Sequence, residues 1–209
     1  MGSRKWLGLV ASLVLISACY GAMTPKAENN KGDIYYYGQG VPKNYQKADY
    51  WFRKAAVQGY APAENNMGLA YYTGQGVPKN YQKGAYWFRK AVRQGNAKAE
   101  FNIGVAYYHG HGVPQNYQKG VYWLRKAAVQ GDANAELGMG VAYLLGHAVP
   151  ANYVQAYKWC ALARSAAQPG TTDYKHASAL LNRLTPRMSA AQITQAQSLA
   201  YKWAKAHEK

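Results

Sequence analysis

The sequence predicts an all-α protein, a right-handed α-solenoid of helix–turn–helix hairpins closed by C-terminal capping helices. Three observations predict it. A near-verbatim string recurs every 36 residues: QGVPKNYQKADYWFRKAAVQG at 39–59, QGVPKNYQKGAYWFRKAVRQG at 75–95, HGVPQNYQKGVYWLRKAAVQG at 111–131, and a worn copy, HAVPANYVQAYKWCALARSAA, at 147–167. Trp51, Trp87, Trp123 and Trp159 keep that register without an insertion, so each unit repeats the same contacts with its neighbour. Within each unit two apolar stripes of helical period are separated by glycine and proline.

Taken in order, residues 1–18 read as a secretory signal peptide, with basic Arg4 and Lys5 ahead of an apolar stretch from Trp6 to Ile16. Ile16-Ser17-Ala18-Cys19 resembles the lipobox of bacterial lipoproteins, which implies lipidation of Cys19; ordinary cleavage near Ala18 or Ala22 is the alternative. Residues 19–30, with little periodicity, are expected to be a tether. Residues 31–167 then form the solenoid of about four units, the first one partial. Lys31 and Asp33 replace the apolar Met67 and Leu69 of the next unit, which suits a polar end of the stack.

In the unit at 62–95, Met67, Ala70 and Tyr71 mark one helix that stops at Gly74-Gln75-Gly76, and Pro78 prevents its continuation. Asn80 is placed to cap the second helix, whose apolar stripe is Tyr81, Gly84, Trp87, Phe88 and Ala91. Small residues at fixed positions, Gly68, Gly104 and Gly140 among them, mark close backbone approach. A hairpin of this kind cannot bury both stripes alone, so successive hairpins must stack. After Pro169-Gly170 the period ends, and residues 168–209 are expected to hold two capping helices, from Asp173 to Leu184 and from Ala190 to Lys205. Ser189 and Gln192 form a capping-box pattern at the second.

The 25 Lys and Arg against 9 Asp and Glu give a formal charge of +16, a field that attracts anions without naming one. No nucleic-acid module accompanies it, which argues against nucleic acid as the partner. Acids that recur with the repeat, Glu64, Glu100 and Glu136, offer no close pair for acid–base work, so a cell-wall-active hydrolase is the weakest reading and no catalytic residue is expected. Cys160 takes the place of Phe52, Phe88 and Leu124 and reads as a small buried hydrophobe. Gly-x-Gly at 38–40, 74–76 and 110–112 follows helices and belongs to turns rather than to a phosphate loop. His111 and His147 stand in a turn slot held by Gln39 and Gln75, with no ligand cluster around them, so neither a metal nor a cofactor is expected.

The string MGLAYYTGQGVPKNYQKGAYWFRKA and its copies resemble the Sel1-like repeats, relatives of tetratricopeptide repeats, over about residues 28–167. The resemblance implies a non-enzymatic adaptor that binds another protein, often in the bacterial envelope. It departs from the family where Asn44, Asn80, Asn116 and Asn152 replace a common acid, and where a cysteine pair per repeat is absent. By analogy with tetratricopeptide geometry the groove residues are Tyr36, Asn65, Leu69, Tyr72, Phe101, Val105, Tyr108, His109 and Leu144. The expected partner is an extended or helical peptide segment of a protein, aromatic anchors supplying much of the energy. Rows of Lys47, Lys83 and Lys119 and of Arg53, Arg89 and Arg125 make anionic glycan or lipid the alternative ligand. The expected setting is the cell envelope, lipid-anchored through Cys19 and facing the periplasm or cell surface.

Overall fold

A computed structural model describes residues 23–207, which leaves the expected signal peptide and Cys19 outside the described residues. Among the described residues ten α-helices follow one another: α1 (Pro25–Tyr37), α2 (Tyr45–Val57), α3 (Ala61–Thr73), α4 (Tyr81–Val92), α5 (Ala97–His109), α6 (Tyr117–Val129), α7 (Ala133–Leu145), α8 (Tyr153–Ala166), α9 (Thr172–Leu184) and α10 (Ala190–His207). The first eight form four hairpins, α1–α2 to α7–α8, each stacked on the next, and both α9 and α10 pack on α8.

The first hairpin is complete rather than partial, and its opening helix occupies part of the stretch expected to be a tether. Thr24 caps α1 by accepting from the Ala27 N–H at 3.2 Å, and Pro25 fits the first turn because no amide hydrogen is needed there. Periodicity missed this start because its buried side chains are polar: Glu28 and Asn29 are almost fully covered. Lys31 lies half-buried with its Nζ 4.1 Å from the centre of the Trp51 ring, and Asp33 accepts from Asn29 Nδ2 at 3.0 Å.

Each second helix begins at an asparagine in extended conformation. Asn44, Asn80 and Asn116 accept from the N–H three residues on at 2.9, 2.9 and 2.8 Å, and Asn152 does so at 2.9 Å. The asparagines thus satisfy one of the donors that a helix start leaves without a partner. First helices end at Gly38, Gly74, Gly110 and Gly146 in the left-handed region. Two residues later the turn needs a second positive φ, and the worn fourth copy supplies it with Ala148 at φ 60°.

Inside a hairpin, the second helix presses an apolar side chain onto a glycine of the first. Phe88 lies on Gly68 so closely that a Cβ there would run into its ring, and Leu124 Cγ would be 3.1 Å from a Cβ at Gly104. Phe88, Met67, Ile103 and Met139 are fully buried. Each such side chain contributes roughly 2–3 kcal/mol relative to exposure. The tryptophans divide in two: Trp51, Trp87 and Trp123 are half-buried, whereas Trp159 is buried and meets Trp203 of α10 edge-on at 4.8 Å. The capping box at α10 is reciprocal, with the Ser189 N–H donating to Gln192 Oε1 at 2.9 Å and the Gln192 N–H donating to Ser189 Oγ at 3.2 Å.

Candidate functional site

First helices meet across units through polar pairs. Asn66 Nδ2 donates to Asn29 Oδ1 at 3.0 Å, and Asn102 Nδ2 donates to Asn65 Oδ1 at 2.8 Å. At the next step the pair would be Gly138 with Phe101. Asparagine is gone from both positions, and Leu124 packs against Gly138 so closely that a Cβ there would lie 3.1 Å from its Cδ2. A cavity of about 180 Å³ lies there, lined by Phe101, Val105, Tyr108, His109, Leu124, Gly138 and Val141. Four of the residues expected in the groove therefore line one apolar pocket.

The others are placed differently. Tyr36 and Leu69 border a smaller hollow of about 50 Å³ with Asp33, Tyr37, Phe52 and Asn66. Asn65 is 3% exposed and committed to Asn102, so it is not a groove side chain. Leu144 packs toward the cluster made with α9 and α10. Tyr72 is half-buried and serves as an inter-unit bolt, its Oη hydrogen-bonded to His111 Nδ1 at 2.5 Å. Tyr108 makes the same bond to His147 Nδ1 at 2.7 Å, and Tyr36 Oη donates to Gln75 Oε1 at 2.7 Å. Burial, with a neighbouring tyrosine, pushes the hydroxyls of Tyr72 and Tyr108 above their ordinary value. That is the role sequence reasoning missed for His111 and His147, and the constant spacing of 39 residues from tyrosine to its partner was the available signal.

The basic rows are exposed. Lys47, Lys83 and Lys119 begin the second helices, each Nζ between 5.3 and 5.6 Å from the ring centre of a first-helix tyrosine. Arg53 is held by Asp49 at 3.2 Å, Arg125 donates to Tyr143 Oη at 3.3 Å, and Arg89 is exposed. Cys160 is buried and its thiol is pushed up to about 12 by burial, which suppresses the nucleophilic thiolate.

A second set of side chains recurs at the opposite ends of the hairpin helices. The first-turn carboxylates Glu28, Glu64 and Glu100 are buried, and each receives a lysine from the last turn of the second helix and a glutamine just past its end. In the fourth unit Leu162 and Ala166 stand at the corresponding positions, and Glu136 has neither partner. Burial and the nearby Asp132 push its carboxyl up to about 7, against the opposing influence of Lys158.

Residues 25–60, 61–96, 97–132 and 131–167 match the family model described as Sel1 repeat, in the phase of the four hairpins. Among solved structures, a protective antigen of uropathogenic Escherichia coli strains displaying an SLR fold is 31% identical with a TM-score of 0.79, over 91% of this chain and 39% of that one. The present chain thus spans well under half of that antigen's length. A Sel1 repeat protein from Oxalobacter formigenes is 31% identical with a TM-score of 0.64, over 88% of this chain and 74% of that one. Comparison with curated proteins gave no match.

Proposed function

The chain belongs to the Sel1 repeat family, a scaffold that is typically protein-binding and generally non-catalytic, and from that premise we propose a non-enzymatic adaptor of the bacterial cell envelope. Its partner is a protein that inserts an apolar side chain, from an extended or helical segment, into the pocket of Phe101, Val105, Tyr108 and His109. The observation that carries this reading is the interruption of the asparagine ladder at Phe101 and Gly138, where a scaffold contact is exchanged for an open apolar cavity. Apolar pockets with a few polar groups at the rim suit single anchoring side chains. The envelope setting and lipidation of Cys19 rest on the signal-peptide pattern at 1–19.

The test rebuilds the ladder. Phe101→Asn with Gly138→Asn copies the residue pairs of the earlier units at the pocket; Leu124 must yield to the new Cβ, and circular dichroism checks that the hairpins are kept. Immobilised wild-type chain is expected to retain a protein from envelope extracts, at raised salt as well as low, and the double variant to lose it. Equal retention by the two would overturn the groove reading. A second reading, anionic glycan or lipid on the rows that begin with Lys47, Lys83 and Lys119, is favoured by their common exposure. It requires retention that collapses as ionic strength rises.

A further inference from the structure

The fourth hairpin contains a carboxylate prepared for a partner that none of the described residues supplies. In the first three units the pattern is strict. Lys54 Nζ lies 3.4 Å from Glu28 and Gln58 Nε2 donates to it at 2.6 Å. Lys90 and Gln94 meet Glu64 at 3.2 and 2.9 Å, and Lys126 and Gln130 meet Glu100 at 3.0 and 2.7 Å. Both donors are lost together in the fourth unit, where Leu162 and Ala166 replace them. Glu136 is nevertheless only 6% exposed, and its Oε2 is buried without a hydrogen-bond partner. Among the described residues no ion pair reaches it.

Beside this carboxylate lies a cleft of about 340 Å³, walled by Glu136, Leu162, Ser165 and Ala166 with Trp203 and His207 of α10. The helix that caps the array therefore completes a hollow at the place where the earlier units put their lysine and glutamine. Lys158, whose charge is felt at Glu136, is engaged elsewhere: its Nζ stands 4.2 Å from the ring centres of both Trp159 and Trp203. Trp203 is further fixed by His207, stacked on it at 4.0 Å.

We propose that this cleft is a binding site for an alkylammonium group, which takes the position of the missing lysine Nζ against Glu136 and lays its aliphatic stem along Leu162 and Ala166. The earlier units define the chemistry: the same carboxylate in the same turn is met by a primary ammonium on a straight carbon chain. A buried carboxylate strongly favours such a donor, because water is excluded and the hydrogen bond is charge-assisted. The site shares no residue with the groove. Two sources carry the group, a free aliphatic amine and a lysine side chain of a peptide.

The probes are 1,5-diaminopentane for the first source and Nα-acetyl-lysine N-methylamide for the second, with 1-pentanol as the uncharged control. The full chain is titrated with each, following tryptophan fluorescence and the amide resonances around Glu136. Saturable binding of at least one amine, with pentanol without effect, is the expected result, and the tighter of the two identifies the source. Glu136→Gln, which keeps the shape, should weaken the amine at least about tenfold, as loss of a charge-assisted hydrogen bond does. Leu162→Lys with Ala166→Gln, which restores the donors of the earlier units, should abolish binding while leaving the helix content intact by circular dichroism. The proposal is overturned if neither amine saturates, if pentanol binds as well as the amines, or if Glu136→Gln leaves the affinity unchanged.

Discussion

At the scale of single residues, Glu136 sets a pH dependence whose sign can be stated in advance. The folded chain holds a proton on this carboxyl up to about 7, while the unfolded chain releases it near the ordinary 4.5. Between those values the unfolded state binds fewer protons, so stability falls as pH rises through the window. The loss is at most about 3 kcal/mol for a shift of this size. Asp33, Asp49 and Asp132 are also pushed upward by burial and act in the same direction, and Lys158, the facing cation, offsets part of the effect on Glu136. Thermal melts should therefore show a higher Tm near pH 5 than near pH 7.5, and Glu136→Gln should narrow the difference. An unchanged difference in the variant would assign the dependence to other groups. Nothing in the repeat text announces this residue as special, since Glu136 looks like Glu64 and Glu100. Only the loss of Lys and Gln opposite it, 26 and 30 residues further on, distinguishes the unit.

At the scale of the element, the hairpin owes its definition to side chains that close its ends. The asparagine before each second helix does for the backbone what a common family acid would do, without adding a negative charge, which leaves the basic surplus uncompensated while the cap is kept. Asn116→Ala should cost about 1 kcal/mol and lower the denaturant midpoint, with the slope of the transition unchanged. No shift in midpoint would mean that packing of Val121 and Leu124, rather than the cap, holds the start of α6. Helix positions, stops and caps were legible in sequence because they depend on local chemistry, and the capping box at Ser189 is a clear case. The start of α1 was not, because its buried side chains are Glu28 and Asn29, whose burial depends on Lys54 and Asn66 in other helices and on Gln58 at the end of α2.

At the scale of the whole molecule, α9 and α10 end the array by covering α8. Trp159, 3% exposed, occupies the register of the half-buried Trp51, Trp87 and Trp123, and the difference is the presence of Trp203 and Ala200 over it. Deleting residues 168–209 should uncover Trp159 and Leu162, so the truncated chain is expected to bind a hydrophobic dye and to melt less cooperatively. A truncation that melts as sharply as the full chain would show that α8 is an adequate terminus by itself.

The sequence by itself determined the period, the order of the helices and the turns between them, because a strict 36-residue recurrence repeats local signals that need no distant partner. Four of the residues it expected in a groove, Phe101, Val105, Tyr108 and His109, line one pocket in the structure. What only the tertiary structure decided is which copies of a repeated side chain are satisfied. Tyr72 became a bolt to His111, Asn65 a buried partner of Asn102, and Glu136 a carboxylate without a donor among the described residues, because each outcome depends on residues 26 to 39 positions away meeting across packed helices.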